Sequence, residues 1–486
     1  MKRFLSYLLL AALLVPMGCT EDDPLGKPKP EEGQNVRYFG NLFAYNIMKT
    51  YYLWEAEVSE GFSSWTYGED PVEKVKAMRY KDSAGNPVDR WTTLYEDCSS
   101  FERAVTGNAK SFGFDFKLYY KDESHKEICA VVTYTYADSP ASKAKLKRGD
   151  TIFTVDGQKM TPDNYTDMVN EKFYGGGTVR FGFSDGTEVS LSAIQMYENP
   201  VQTVLTLDAE GKKMGYLHFT SFTMDACRDL ETAFGKFKED GIEELVLDLR
   251  YNGGGYTFTS AVLGSMLAPV EEVKAGSVFN RDVYNKTLSE SDAFKDDLEL
   301  CFAEEFTVNA SSGSGSYKVH PLQVHPEVKK VWVITTGSTA SASEALVCGL
   351  KPYMDVVLVG ETTYGKYCGG YLIHASDFFK ALSKQDNLDF DTKEAEEKME
   401  GWGLYVIASR YSDKDGVTLS MPNGIPADFK AVDNPVDGYA LGDPSESMLS
   451  RVLALATGKA TKAPISAPSL DPAPPVRPVG FGVLLH

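Results

Sequence analysis

Histidine is scarce in this sequence, six residues among 486, and no two of them stand as HExxH, so a zinc-peptidase helix is excluded. An α/β-hydrolase serine elbow is set aside with it. Seven cysteines occur (Cys19, Cys98, Cys129, Cys227, Cys301, Cys348 and Cys368), never as CxxC or CxxH, so neither a metal site nor a cofactor is expected. Their pairing is left open. Basic charge is short as well: 49 Lys+Arg against 69 Asp+Glu give a net charge of −20, and such a surface repels a phosphate backbone. The apolar run Phe4–Val15 falls short of the about 20 residues that a membrane-spanning helix needs. What is abundant is core material, with 43% hydrophobic and 12% aromatic residues in a length that suggests about three domains.

The first 34 residues read as an address. Lys2 and Arg3 precede the short apolar run, and Gly18-Cys19 closes it, which resembles a bacterial lipoprotein signal with Cys19 as the lipidated residue. An ordinary cleaved signal peptide is the plainer alternative. Residues 19–34 are acidic and rich in Pro and Gly, a solvated tether. The expectation is an exported chain held by lipid on the periplasmic or cell-surface face of an outer membrane.

Residues 35–110 read as a helical N-terminal domain. Val36, Phe39, Leu42, Phe43, Ile47 and Tyr51 recur at helical spacing, and Asp70-Pro71-Val72-Glu73 has the form of a capped helix start. Residues 111–200 change to short β runs. There Lys147-Arg148-Gly149-Asp150-Thr151-Ile152, closing at Val155-Asp156-Gly157, resembles a PDZ domain, and Phe112, Gly113 and Phe114 fall where such domains carry their carboxylate-binding loop. Ser111 replaces that loop's first glycine. From 201 to 461, strands alternate with helices, the pattern of an α/β core, with 271–330 as an insertion over it. Residues 462–486 hold six prolines and read as a disordered tail.

Two segments carry chemistry. Asp248-Leu249-Arg250-Tyr251-Asn252-Gly253-Gly254-Gly255 takes a strand into glycines whose N–H groups can face an oxyanion, although a plain tight turn has the same composition. Thr339-Ala340-Ser341-Ala342-Ser343-Glu344 takes a buried strand into a helix, with Ser341 at the N-terminus. Alone, such a serine is better read as a cap. The run Gly360-Glu361-Thr362-Thr363-Tyr364-Gly365-Lys366 after the next strand shifts that reading, because adjacent parallel strands end side by side and Lys366 comes within reach of Ser341.

In order, these three motifs resemble the carboxyl-terminal processing peptidases, or tail-specific proteases, across about residues 110–458. The resemblance implies a multidomain α/β protein: a PDZ domain joined to a crotonase-like core that hydrolyses peptide bonds with a Ser-Lys dyad. It makes Ser341 the nucleophile and Lys366, 25 residues later, the base, with Trp332, Tyr364 and Tyr367 as the apolar bulk expected near it. The backbone N–H groups of Gly254 and Ala342 would form the oxyanion hole. Polypeptides are the implied partners, selected by their C-terminal regions. The family's glutamine four residues after the lysine is Gly370 here, so another group must hold Lys366. The rival reading is a non-catalytic peptide-binding lipoprotein with an inert core.

Overall fold

The computed structural model describes residues 35–99, 101–102, 108–294, 298–310, 315–385, 388, 390–419, 421–459, 470–476 and 484–485. The residues read as signal and tether, Cys19 among them, and most of the proline-rich tail lie outside these residues. Among those described, no helix is long and apolar enough to cross a membrane.

A six-stranded sheet organises the core, in the order 201–209, 212–219, 244–248, 330–335, 355–360, 429–430; all neighbours are parallel except the first pair. Its central strands are continuous apolar runs because both faces are covered. Leu245, Leu247, Val331 and Val333 point into the cluster that holds helices Ala226–Asp240, Thr257–Ser265 and Ala342–Leu350. Val246, Trp332 and Ile334 point to the other face, where Met448, Leu449 and Val452 of helix Ser447–Ala456 cover them. The parallel strands Glu244–Asp248, Lys330–Thr335 and Asp355–Gly360 end at one edge, and the sequence motifs follow them there.

A second, seven-stranded sheet corrects three expectations. Strand Gly403–Ser412 pairs on one side with Cys368–His374 and on the other with Val278–Tyr284. Val278–Tyr284 lies inside the span 271–330 that was read as an insertion; it belongs to the sheet because Phe279 packs wholly inside, against the positions of Gly264 and Gly349. Thr93–Tyr95 also joins Gly403–Ser412 as a strand, so 35–110 is not all helical. Its helices Asn35–Tyr51, Ser59–Ser63 and Pro71–Ala77 share one apolar cluster with Phe378, Phe379 and Leu404 to Ala408. The cap at Asp70 is as expected, its carboxylate accepting from Val72 and Glu73 N–H.

The third correction concerns the tail. Leu484–Leu485 forms a strand between Gly255–Tyr256 and Gly370, parallel to both. Asp471 and Ala473 pair with the edge strand Phe114–Tyr120: Tyr120 N–H donates to Asp471 O at 2.8 Å and Ala473 N–H to Leu118 O at 3.0 Å. Pro472, which has no N–H, faces Tyr119 between those two bonds, where an edge strand needs no donor from it. The β-rich unit itself runs 114–120, 128–135, 151–155, 178–183, 188–192, all antiparallel.

Arg250, at the end of a central strand, is fully buried and holds the units together. Its guanidinium donates to Asp248 at 2.8 Å, to Glu446 at 2.6 Å and to Asp433 at 3.1 Å. Arg148 and Lys117 of the β-rich unit reach the same Asp433 at 2.8 and 2.9 Å. Burial opposes ionisation of Asp433, yet Lys117, Arg148 and Arg250 together hold it well below the usual carboxylate range. Arg250→Met should destabilise the fold by about 3–5 kcal/mol, because it leaves buried carboxylates without their shared cation. A chemical-denaturation midpoint measures this; an unchanged midpoint contradicts it.

Candidate active site

Ser341 sits between strand Lys330–Thr335 and helix Ala342–Leu350 with φ 60° and ψ −113°. That region costs a non-glycine residue about 1–3 kcal/mol and persists only where the surroundings enforce it. They do so here. Asn252 O accepts from Ala340 N–H at 3.1 Å and from Ser343 Oγ at 3.2 Å, and Asn252 Nδ2 is anchored on Phe219 O at 3.0 Å. Gly254 presses on the turn so closely that a Cβ there would stand 2.7 Å from Ser341 Cβ. The Ser341 hydroxyl stands in the capping-box position of its helix, but it is buried and makes no hydrogen bond of normal geometry.

Glu344 ties this turn to the lysine loop. Its buried carboxylate accepts from Ser341 N–H at 2.8 Å, Gly365 N–H at 2.8 Å, Lys366 N–H at 2.9 Å and the Thr363 hydroxyl. Burial raises the Glu344 carboxyl, and those four donors pull against it. Glu344 grips the backbone of Lys366 and not the amine.

Lys366 is fully buried. Its Nζ donates to Tyr405 Oη at 3.1 Å and lies 5.1 Å from the centre of the Trp91 ring. Burial pushes its amine down to about 8, against the pull of Cys368, Asp89 and Glu344 toward the charged form. Tyr405, not a residue at position 370, is the hydrogen-bond partner of the amine. A Cβ on Gly370 would meet Val406 O at 2.3 Å and Tyr405 Cε2 at 3.2 Å, so strand and phenol fill the space from which another side chain would reach.

Several expected placements need correcting. Ser341 and Lys366 come to one sheet edge but are not hydrogen-bonded, since Tyr405 holds the amine and the Ser341 hydroxyl has no partner. Gly254 N–H does not face an open oxyanion position, because Asn252 Oδ1 accepts it at 2.9 Å. Ala342 opens its helix, so its N–H belongs to the first turn, which lacks intrahelical acceptors. Trp332 faces away from the lysine and donates to Glu244. Tyr367 packs on Tyr411, and Tyr364 lies edge-on to Trp91. Trp91 and Tyr405 were missed; they stand 275 and 39 residues from Lys366 in the chain, and no spacing marks them.

In the β-rich unit, Phe112 is buried, Phe114 opens the edge strand, and both stack edge-on against Phe181. Gly113 N–H is taken by the Ser111 hydroxyl at 2.9 Å, so that loop has one N–H fewer to offer a carboxylate. Gly182-Phe183-Ser184-Asp185-Gly186 does have the GxSxG spacing, against the expectation that no such elbow is present. It forms the turn between strands Thr178–Phe183 and Glu188–Ser192, not a strand-to-helix elbow. The six described cysteines are all free thiols. Cys98, with His374 Nδ1 at 3.6 Å, is the thiol beside that histidine.

Glu344→Gln keeps the shape of the clamp but turns amide hydrogens toward groups that donate. It should lower stability by about 1–3 kcal/mol, read as a shift in the denaturation midpoint. Wild-type stability would show that the clamp does not depend on its charge.

Residues 213–431 match the family described as Peptidase family S41. The chain is 28% identical over 243 residues to the "Carboxy-terminal processing protease CtpB" of Bacillus subtilis, covering 49% of this chain and 44% of that protein. It is 25% identical over 289 residues to a "Carboxyl-terminal-processing protease" of Synechocystis, covering 58% of each. The chain thus spans about half the length of the curated relatives it matches. A solved structure titled as a putative S41 protease from Bacteroides fragilis is 20% identical, with a TM-score of 0.63 over 90% of this chain and 100% of that one, which shows a shared fold. The strained serine turn and the buried lysine thus both lie in the stretch 213–431 that matches Peptidase family S41, in a chain similar to proteins named as carboxyl-terminal processing proteases.

Proposed function

We propose that the protein is an exported serine endopeptidase that cuts polypeptides through Ser341 and Lys366 and selects them by their C-terminal regions. One observation carries this reading: a fully buried lysine, its amine lowered to about 8, beside a strained serine whose hydroxyl has no other partner. A serine hydroxyl needs a base, and lysine serves as one only when neutral. At pH 7 an amine titrating near 8 is neutral in roughly a tenth of molecules, against fewer than one in a thousand for an ordinary lysine.

Neutral Lys366 Nζ takes the Ser341 proton as Oγ attacks the substrate carbonyl, then passes it to the leaving amine; water repeats the cycle on the acyl-enzyme. The oxyanion is received by Ala342 N–H, joined by Gly254 N–H once it turns from Asn252. Each such donor is worth about 3 kcal/mol of barrier. Tyr405 positions the amine. The inert-core alternative rested on Gly370 alone, and Tyr405 fills that place. The β-rich unit acts as a PDZ-like reader of polypeptide ends, with Phe112, Gly113 and Phe114 at the head of its edge strand. Cys19 anchors the exported chain by lipid.

Ser341→Ala and Lys366→Arg should each abolish cleavage of an unfolded protein, the second because arginine stays charged. Wild-type turnover by Ser341→Ala sinks the assignment. In the active enzyme kcat/KM should rise with pH through about 8 and then level off, since only the deprotonated amine works. A profile flat from pH 6 to pH 9 excludes Lys366 as the base. Cys19→Ser should move the protein from the membrane to the soluble exported fraction; an unchanged distribution rules out the anchor.

A further inference from the structure

The C-terminal segment touches both places where a substrate of the proposed peptidase would lie. Its first described stretch adds to the free edge of strand Phe114–Tyr120, antiparallel, and so runs toward Phe114 and the Gly113 loop. Ala473 is buried in the apolar cluster of that unit, with Phe112, Phe173 and Phe181, and Val476 packs against it. Tyr174 Oη donates to Val476 O at 3.2 Å from the opposite wall. This is addition of an extended chain to a sheet edge, with backbone bonds for affinity and apolar contacts for choice. The second stretch, Leu484–Leu485, is a strand between Gly255–Tyr256 and Gly370. Gly255 follows the glycine pressed on Ser341, and Gly370 stands four residues after Lys366. The slot is therefore bordered by the segment that carries the proposed oxyanion donor and by the segment that carries the proposed base.

The same structure has an unassembled catalytic centre: Lys366 is bonded to Tyr405, Ser341 Oγ to nothing, and Gly254 N–H to Asn252. We propose that residues 470–476 and 484–485 are the protein's own occupants of its substrate track, so that the chain is latent until an external apolar polypeptide end displaces them. This rests on the peptidase reading for what the track leads to, whereas occupancy itself rests on backbone pairing alone. The occupant belongs to the same chain as the track, so a competing end meets an intramolecular rival and must bind well or be abundant.

The test uses the full chain with Val476→Asp and Leu485→Pro together. The first places charge against the apolar cluster, and the second removes an N–H from the paired strand. Hydrogen exchange is read in the Ser341→Ala background, with circular dichroism confirming the fold. The amides of Ala473, Leu484 and Leu485 should be protected in the parent and lose that protection in the double variant. They should also lose it when a synthetic peptide of residues 470–486 is added to the parent in excess. With Ser341 intact, the double variant should cleave an unfolded protein about tenfold or more faster than the parent, and the same peptide should bring it back toward the parental rate. Unprotected tail amides in the parent, or a released tail with no gain in rate where the parent itself cleaves, overturns the proposal. A protected and displaceable tail in a chain that cleaves nothing in any variant overturns latency and the peptidase reading together, and leaves occupancy standing.

Discussion

The architecture depends on a buried balance of charge around Arg250. Three cations, Arg250, Arg148 and Lys117, meet three carboxylates, Asp248, Asp433 and Glu446, drawn from the core sheet, the β-rich unit and the C-terminal part of the core. Tyr251 and Tyr216 donate to Asp433 and Asp248 at 2.7 Å each, which uses lone pairs the cations leave over. Ions withdrawn from water are tolerated only when every partner is present. The cluster therefore works as a register mark. The strand end that leads into Asn252 and Gly254 is fixed relative to the β-rich unit because neither side can shift without stranding a charge.

From that fixed end the site is assembled by short polar ties. Asn252 holds the serine turn through its carbonyl and the glycine through its side chain, while Glu344 joins the serine turn to the lysine loop. Such ties keep strain in place. The unusual dihedrals of Ser341 would relax if the surrounding acceptors and donors were not already committed. The amine of Lys366, by contrast, is governed mainly by exclusion of water, with Trp91 and Tyr405 as its walls.

The motifs of the core were legible in the sequence because strands buried on both faces are unbroken apolar runs and the loops after them carry small residues in fixed order. Ser341, Lys366 and the glycines fell at one sheet edge for that reason. What stayed hidden came from distant segments or from backbone geometry. Trp91 is an ordinary aromatic in a segment that reads as helical. The strand Val278–Tyr284 was obscured by its polar residues Asn280, Arg281 and Asp282, although Asn280 is buried and donates to Ala345 O. The proline-rich tail looked unable to pair, yet Pro472 occupies a position where pairing asks no hydrogen of it. The commitment of Gly254 N–H to Asn252 Oδ1 is a matter of one side-chain orientation, which no spacing encodes.

Trp91 lies far outside the stretch 213–431 that matches the family, yet it forms part of the wall that makes Lys366 a weak acid holder of its proton. The proposed nucleophile and base thus lie in one segment, and part of the wall around the amine in another. A transplant of the matched stretch into a new host would carry the pattern of the site and Tyr405 with it, and a lysine that has lost the Trp91 side of its pocket. In this chain the candidate site and the enclosure of its lysine come from separate segments, and the N-terminal one supplies part of the second.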